Sequence, residues 1–594
     1  MNFPASSDCI SRQGLLMNLP GISTDLRAAW RDGYALDDLR ADVMAGLTIG
    51  TVAVPLSMAL AIATGVPPQH GLYTAIVAGA VIALTGGSRF NVSGPTAAFV
   101  VILFPIVQQY GLGGLLIASM MAGVILVILG LTRMGRLIQF VPYPVVLGFT
   151  AGIAVVIAVL QVPDFLGLET GPFGEHFVDN VAVIATSLST IAPLELGVGL
   201  FALVCMLAWP RLGIPVPAPL IGLVVGAIAA FGLNRWLGGN DAGAVVETIA
   251  SRFAWEVSGA TGTGIPPIPP TFTAPWLLPG ANGEPLTIDF DLIRALLGPA
   301  IAIAMLGAIE SLLCAVVSDG LTRTKHDPNA ELIGQGLGNI VAPLFGGITA
   351  TAAIARTATN IRSGARSPIA AVVHSLVVLL AVVALAGLLG LVPMAALAAL
   401  LFIIAWNMSE ARHFVATMRS APPGDVAILV ICFGLTVFFD MVLAVAVGIG
   451  LAAALFIRRM ALLTRTDRVD IEDHPTIKGL PSDVALYDVN GPLFFGAAEK
   501  ALSSLHLVDP EIKTVILDMR DVPSMDGTAI VALKSLIDEM KHDGIGLILV
   551  GFHTRIVVKL RRAGVRKATR VLTYCRDLDQ ARTVALRWRE KQGE

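Results

Sequence analysis

The chain has 594 residues, 55% of them hydrophobic and only 14% charged, with a mean hydropathy of +0.78. That balance points to a protein that lives in a bilayer rather than to a string of soluble domains. A net charge of −3 leaves no basic footprint for nucleic acid, and five scattered cysteines (Cys9, Cys205, Cys314, Cys432, Cys575) show neither a disulfide framework nor metal-ligand spacing. The charge is unevenly spread: 39 charged residues fall in the last 130 positions, whereas Val43 to Leu160 holds only Arg89, Arg133 and Arg136.

Residues 1–42 mix Asp8, Arg12, Asp25, Arg27, Arg31, Asp32 and Asp37 without the basic-then-apolar order of a signal peptide, and read as a cytoplasmic lead-in. From 43 to 463, apolar runs of the ~20 residues a helix needs to cross a bilayer recur, about fourteen in all. They centre near residues 53, 78, 101, 122, 151, 194, 223, 305, 338, 358, 379, 400, 432 and 451, with those near 101 and 358 shorter and richer in Gly, Ser and Thr. With the N-terminus inside, the inner connections carry Arg89, Arg133 and Arg136, Arg211, Arg323 and Lys325, Arg362 and Arg366, Arg412 and Arg419, then Arg458 and Arg459. The short outer connections carry no Lys or Arg, so the positive-inside rule holds at each turn. The longest outer segment, roughly Leu237 to Asp289, is rich in Gly and Pro and reads as an extracellular cap.

Two segments break the hydropathy alike, "GGSRFNVSGPTAAFV" (Gly86 to Val100) and "GGITATAAIARTATN" (Gly346 to Asn360). Paired interruptions in corresponding halves point to an inverted-repeat transporter, because bare backbone at membrane depth is tolerated only where it lines a cavity. Half-helices that aim their N-termini at such a cavity favour an anion. Arg356 lies just inside the second break, where an unpaired guanidinium is costly; an anion electrode and a partner for backbone carbonyls are the two readings. Glu310 sits mid-span in "GPAIAIAMLGAIESLLCAVV" and must be protonated, paired or ion-bound. Sodium would want several oxygens at once, while Cys314 and Ile354 offer none, which favours a proton as coupling ion. A Glu310–Arg356 pair with no coupling role is the alternative.

No Walker-type phosphate loop occurs, so transport is secondary or passive, and no cofactor or metal is expected. "NVS" at Asn91 and "NMS" at Asn407 match a glycosylation pattern but fall on the inner side. After a linker at 464–482, residues 483–590 alternate β-rich runs such as "TVILDMRDV" and "GLILVGF" with helical patterns, an α/β domain without a catalytic constellation. The fold class is therefore an α-helical polytopic membrane protein followed by a cytoplasmic α/β domain.

Several strings are specific: "GVPPQHGLYTA" (Gly65 to Ala75), "GGSRFNVSGPTAA", "LGAIESLL" and "TKHDPNAELIGQGLGNIVAPLFGG". From about Asp42 to the end the chain resembles the sulfate permease (SulP) family, also called solute carrier family 26, and its tail is similar to that family's STAS domain. The stretches around Glu310 and Arg356 are most similar to bacterial four-carbon dicarboxylic acid transporters of the family. The resemblance implies fourteen helices in a 7+7 inverted repeat. Spans 1–4 and 8–11 would form a mobile core, spans 5–7 and 12–14 a gate, and two copies a homodimer. It carries Ser93, Gly94, Pro95, Thr96 and Ala97 over as one helix end at the substrate, Ala353, Ile354, Ala355 and Arg356 as the other, and Glu310 as the coupling carboxylate.

Two departures matter. Where sulfate transporters of the family often have "PQG", this chain has Pro55, Leu56 and Ser57, which favours a dicarboxylate. In "SMDGTAI" a glycine, Gly527, follows Asp526, so the phosphoserine of signalling STAS relatives is missing, although Thr528 remains; the domain reads as a scaffold or regulatory module for a cytosolic protein, with nucleotide binding open. The expectation is proton-coupled import of succinate, fumarate or aspartate across a bacterial inner membrane. Bicarbonate or sulfate transport, an anion channel and a membrane-anchored sensor are the rivals.

Overall fold

The computed structural model describes residues 21–590 apart from 139–140, 175–176, 215, 239–244, 258, 440, 471–477, 495–497, 499–500, 503–508, 510 and 553. It divides into two compact units, residues 1–449 and 450–594.

The first unit is helical, and its last helix runs on in the chain past residue 449. In chain order its main helices are α1 (Thr24–Arg31), α2 (Leu36–Ala63), α3 (Pro68–Thr85), α4 (Ala97–Leu131), α5 (Tyr143–Leu160), α6 (Phe177–Thr186), α7 (Pro193–Ala208), α8 (Ala218–Leu237), α9 (Phe290–Thr322), α10 (Pro328–Val341), α11 (Ile354–Arg362), α12 (Ile369–Leu389), α13 (Met394–Met408), α14 (Ala411–Ser420), α15 (Pro423–Phe438) and α16 (Met441–Leu463). Among the described residues, nine helices are long and apolar enough to cross a membrane by length and composition. One of them, α4, runs 35 residues but breaks at Gly111, whose φ of 69° and ψ of −173° leave two helices end to end. The span expected near 194 meets only the first turn of α7, because the helix starts at Pro193, whose missing N–H suits a first-turn position. The interrupted segment near 358 becomes the nine-residue α11, shorter than its neighbours of 14 and 21 residues.

The helices sort into two packed groups. Helices α2, α3 and α4 pack on α9, α10 and α12, while α5, α7 and α8 pack with α13 and α15. Small residues set how close they come: a Cβ on Gly123 of α4 would lie 2.7 Å from the Gly336 carbonyl of α10, and one on Gly336 would lie 2.6 Å from the Gly123 carbonyl. Without a hydrophobic drive inside a bilayer, such close backbone approach is what holds helices together. The segment expected as a cap contains a hairpin of β2 (Ala254–Val257) and β3 (Ala260–Thr263), preceded in the chain by the short strand β1 (Ser93–Gly94). It is fastened by Ile249 N to Val392 O at 3.0 Å, Ala250 N to Gly390 O at 2.8 Å and Gly113 N to Pro279 O at 3.2 Å. A fourth short strand, β4 (Thr351–Ala352), precedes α11.

The second unit holds a five-stranded sheet in the order β5 (Arg465–Val469), β6 (Val484–Asn490), β7 (Thr514–Asp518), β8 (Gly546–Val550) and β9 (Leu572–Cys575). Only β5 runs antiparallel to its neighbour. Strand alternation sends Val515 and Leu517 into one core with Leu533, Leu536 and Met540 of α17 (Gly527–His542), and Ile516 into the other with Leu578, Ala581 and Ala585 near the chain's end. The basic helix α18 (Thr554–Arg562) buries Ile556 and Leu560, and α19 (Leu578–Glu590) closes the second face.

Candidate anion site at the strand crossing

Both breaks end in strands too short to carry a periodicity. Ser93 of β1 pairs with Ala352 of β4 and Gly94 with Thr351, antiparallel, and Ala353 N extends the pairing to Val92 O at 3.2 Å. From this crossing α4 leaves at Ala97 with Thr96 as its N-cap, and α11 leaves at Ile354 with Ala353 as its N-cap. Neither N-cap side chain accepts a first-turn N–H. Two helix N-termini, each with unsatisfied donors and a positive dipole end, therefore meet at one place.

Arg356 stands in the first turn of α11 and is 3% exposed. Its Nη2 donates to Pro95 O at 2.6 Å, while Nε and Nη1 are buried with no hydrogen-bond partner among the described residues. The guanidinium lies against the bare backbone of Gly94, where a Cβ would sit 2.5 Å from Nη1. Glu310, on α9, accepts a hydrogen bond from Thr96 Oγ1 at 3.1 Å. Among the described residues no ion pair joins Glu310 to Arg356: the partner of the first is Thr96 and of the second the Pro95 carbonyl, so the closed pair of the alternative reading is not formed in this structure. Ser93, Gly94, Pro95, Thr96 and Ala97 are all buried, Ala353 is half-buried, and Ile354 and Ala355 are exposed. The crossing thus presents its accessible face through the start of α11.

A polar frame fixes the crossing. Ser311 Oγ and Thr351 Oγ1 lie 2.6 Å apart, and Thr351 Oγ1 donates to Gly307 O at 3.2 Å. Thr357 Oγ1 accepts Val92 N at 3.1 Å and Cys314 Sγ at 3.2 Å, which gives Cys314 a structural partner. Glu331, on α10 and 1% exposed, was not singled out in the sequence. Its Oε1 accepts from Asn91 Nδ2 at 2.9 Å and Gln335 Nε2 at 3.3 Å, and its Oε2 from Gly87 N at 3.1 Å; Gln335 Nε2 also donates to Ser93 Oγ at 2.9 Å. The rule that drew attention to Glu310, a carboxylate in an apolar helix, would have found it. Asn91 is buried here, so its glycosylation pattern has no bearing. The departure at 55–57 sits elsewhere: Pro55 lines an apolar cleft with Met58, Phe231 and Leu388, and a Cβ on Gly71 would clash with the Ser57 carbonyl.

Broken helices meeting at paired strands inside a bundle, with a separate α/β domain after them, define a multi-pass membrane transporter. The family model described as the sulfate permease family matches residues 39–432, and that of the STAS domain matches 474–581. The chain belongs to the sulfate permease family, and is a membrane anion transporter rather than an enzyme. It is 42% identical over 535 residues to YvdB of Bacillus subtilis (strain 168), covering 90% of this chain and 95% of that one; YvdB carries a provisional sulfate-transporter name. It is 30% identical over 535 residues to the bicarbonate transporter BicA of Picosynechococcus sp., covering 84% and 87%. The solved structure of SLC26A9 superposes with a TM-score of 0.80 at 17% identity over 96% of this chain and 94% of that one, a likeness of fold alone.

Proposed function

We propose that this protein is a secondary active transporter that carries a small oxyanion by alternating access, with the anion held at the crossing by Arg356, the first-turn N–H groups of α4 and α11, and the Ser93–Ala97 and Ala353–Ala355 backbone. One observation carries the reading: a guanidinium out of contact with water keeps two donors unpartnered beside two uncapped helix N-termini. A buried cation in such a place gains most from an anion that accepts from it. The α2–α4 and α9–α12 group would be the moving core, and the α5–α8 and α13–α16 group the gate. Sulfate or bicarbonate is the preferred cargo, since relatives at 42% and 30% identity are named for them. A four-carbon dicarboxylate such as succinate, fumarate or aspartate is the second reading, favoured by Leu56 in place of the family's glutamine.

Glu310 is the coupling carboxylate and a proton the coupling ion. Among the described residues its only side-chain partner is the Thr96 hydroxyl, which can donate to the carboxylate or accept from the acid, whereas a sodium ion would need several oxygens. The basic connections support a reading with the N-terminus and the STAS domain on the cytoplasmic side of a bacterial inner membrane; the same reading takes a second copy as dimer partner and a cytosolic protein as the STAS domain's partner.

Uptake into proteoliposomes, with pH and sodium gradients imposed separately, tests the whole reading. Radiolabelled sulfate or bicarbonate should accumulate when only the pH gradient is present, and unlabelled succinate should compete weakly. Accumulation driven by sodium at constant pH would sink the proton. Glu310→Gln should keep anion binding and facilitated exchange but lose uphill accumulation.

A further inference from the structure

A polar cavity of about 600 Å³ opens where the C-terminal end of α2 and the first half of α4 face the end of α5, the start of α7 and the cap. Among the described residues, five ionisable side chains line it: Asp164, Glu169, Glu195, Glu247 and Arg252. Arg252 Nη1 holds Asp164 Oδ1 at 2.6 Å and reaches Glu247 Oε2 at 3.6 Å, so the single guanidinium is committed to two carboxylates. Glu195 is the odd one. It is 6% exposed, its Oε1 accepts the Glu247 backbone N–H, and its Oε2 is buried with no partner among the described residues. The Gly167 turn closes over it, a Cβ there falling 2.7 Å from Glu195 Cβ. Helices α8 and α13, which also pack on α7, add no ionisable lining residue among those described. Outside the membrane spans, burial also pushes the Glu247 carboxyl above its ordinary range, with Arg252 opposing, so the neighbour most able to take Glu195's charge is itself reluctant to hold one.

Among the described residues, four carboxyls against one guanidinium give this cavity a lining that repels anions unless a proton is bound. We propose that the cavity is a mouth of the anion path, that Glu195 is its proton-binding carboxyl, and that its charge state sets how readily an anion enters from that side. The inference rests on the orientation given under Proposed function, which puts this end outside, and not on Glu310. Protonating Glu195 removes one negative charge from the cavity's lining, in a partly desolvated site where each charge acts strongly. The expected consequence is an apparent KM that falls as the outer solution is acidified, independent of any gradient that drives accumulation.

The test uses the full chain in right-side-out membrane vesicles with the internal pH clamped, and initial uptake of radiolabelled sulfate or bicarbonate as the readout. Lowering outer pH from about 8 to about 6 should lower the wild-type apparent KM about three- to tenfold. Glu195→Gln should give the low KM at every outer pH while uphill accumulation persists, and Glu195→Asp, which can still titrate, should restore the slope. A melting profile of each purified variant establishes folding. A Glu195→Gln protein that keeps the wild-type KM slope overturns the proposal. So does a slope that survives in Glu195→Gln but vanishes in Glu310→Gln, since it then belongs to coupling. Loss of accumulation in Glu310→Gln with the slope intact leaves the two roles separate, as expected here.

Discussion

Arg356 is the residue on which anion recognition turns, and its setting makes the prediction specific. Charge-assisted hydrogen bonds to a buried oxyanion are strong, so Arg356→Ala should weaken apparent affinity by roughly a hundredfold, about 2–3 kcal/mol. Gly94→Ala should act the same way at a distance from the charge, because its methyl would meet Nη1 at 2.5 Å and push the guanidinium off the crossing. Binding of sulfate and bicarbonate by calorimetry on folded, melting-competent protein checks both; wild-type affinity in Arg356→Ala would return the side chain to a purely structural role on Pro95 O. Arg356 and Glu310 were readable beforehand because each is an ionisable group in an apolar run. Glu195 was not, since a carboxylate in the first turn of a helix is ordinary and only its burial makes it odd.

Single elements make their own predictions. Helix α1 lies against the membrane unit through Ser23, whose N donates to Thr85 O at 3.0 Å and whose Oγ donates to Leu84 O at 2.5 Å. Burial first, then Glu331, raises the Asp25 carboxyl from 3.8 to about 7, with Arg89 opposing. A carboxyl whose folded pKa lies above its unfolded one costs nothing below the unfolded value, so docking of α1 should be tightest below about pH 4, loosen as pH rises from there to about 7 and level off above it. Hydrogen exchange over Thr24–Arg31, corrected for intrinsic rates, should be faster at about pH 8 than at about pH 6, and Asp25→Asn should erase the difference. In the tail, Asp526 caps α17 by accepting Ala529 N at 2.8 Å. Asp526→Ala should cost about 1 kcal/mol of that unit's stability, read as a lower urea midpoint in the full chain. The Asp-Gly pair that removes the phosphoserine is thus also a helix start.

At the scale of the molecule, composition, basic connections and paired glycine breaks made the membrane block, its two interruptions and the α/β tail legible from sequence. The pairing of β1 with β4 was not, because a two-residue strand has no alternation to read and its partner lies 259 positions away, the separation of Ser93 from Ala352. The crossing ties the two halves together, so a chain cut at the exposed Gly283 turn and expressed as two fragments should co-purify and transport, while either fragment alone should not. Failure to co-purify would mean that the strand pair and the Glu331 frame are too weak to join the halves. The unsatisfied Nε and Nη1 of Arg356 reach further than recognition. Donors shut away from water without acceptors cost on the order of 1–3 kcal/mol each, a deficit spread over the whole cooperative unit. An anion that fills their hydrogen bonds hands that free energy back to the native state, so among candidate solutes the physiological cargo should be the one that most delays heat unfolding, and it can be found on a thermal-shift plate before any flux is measured.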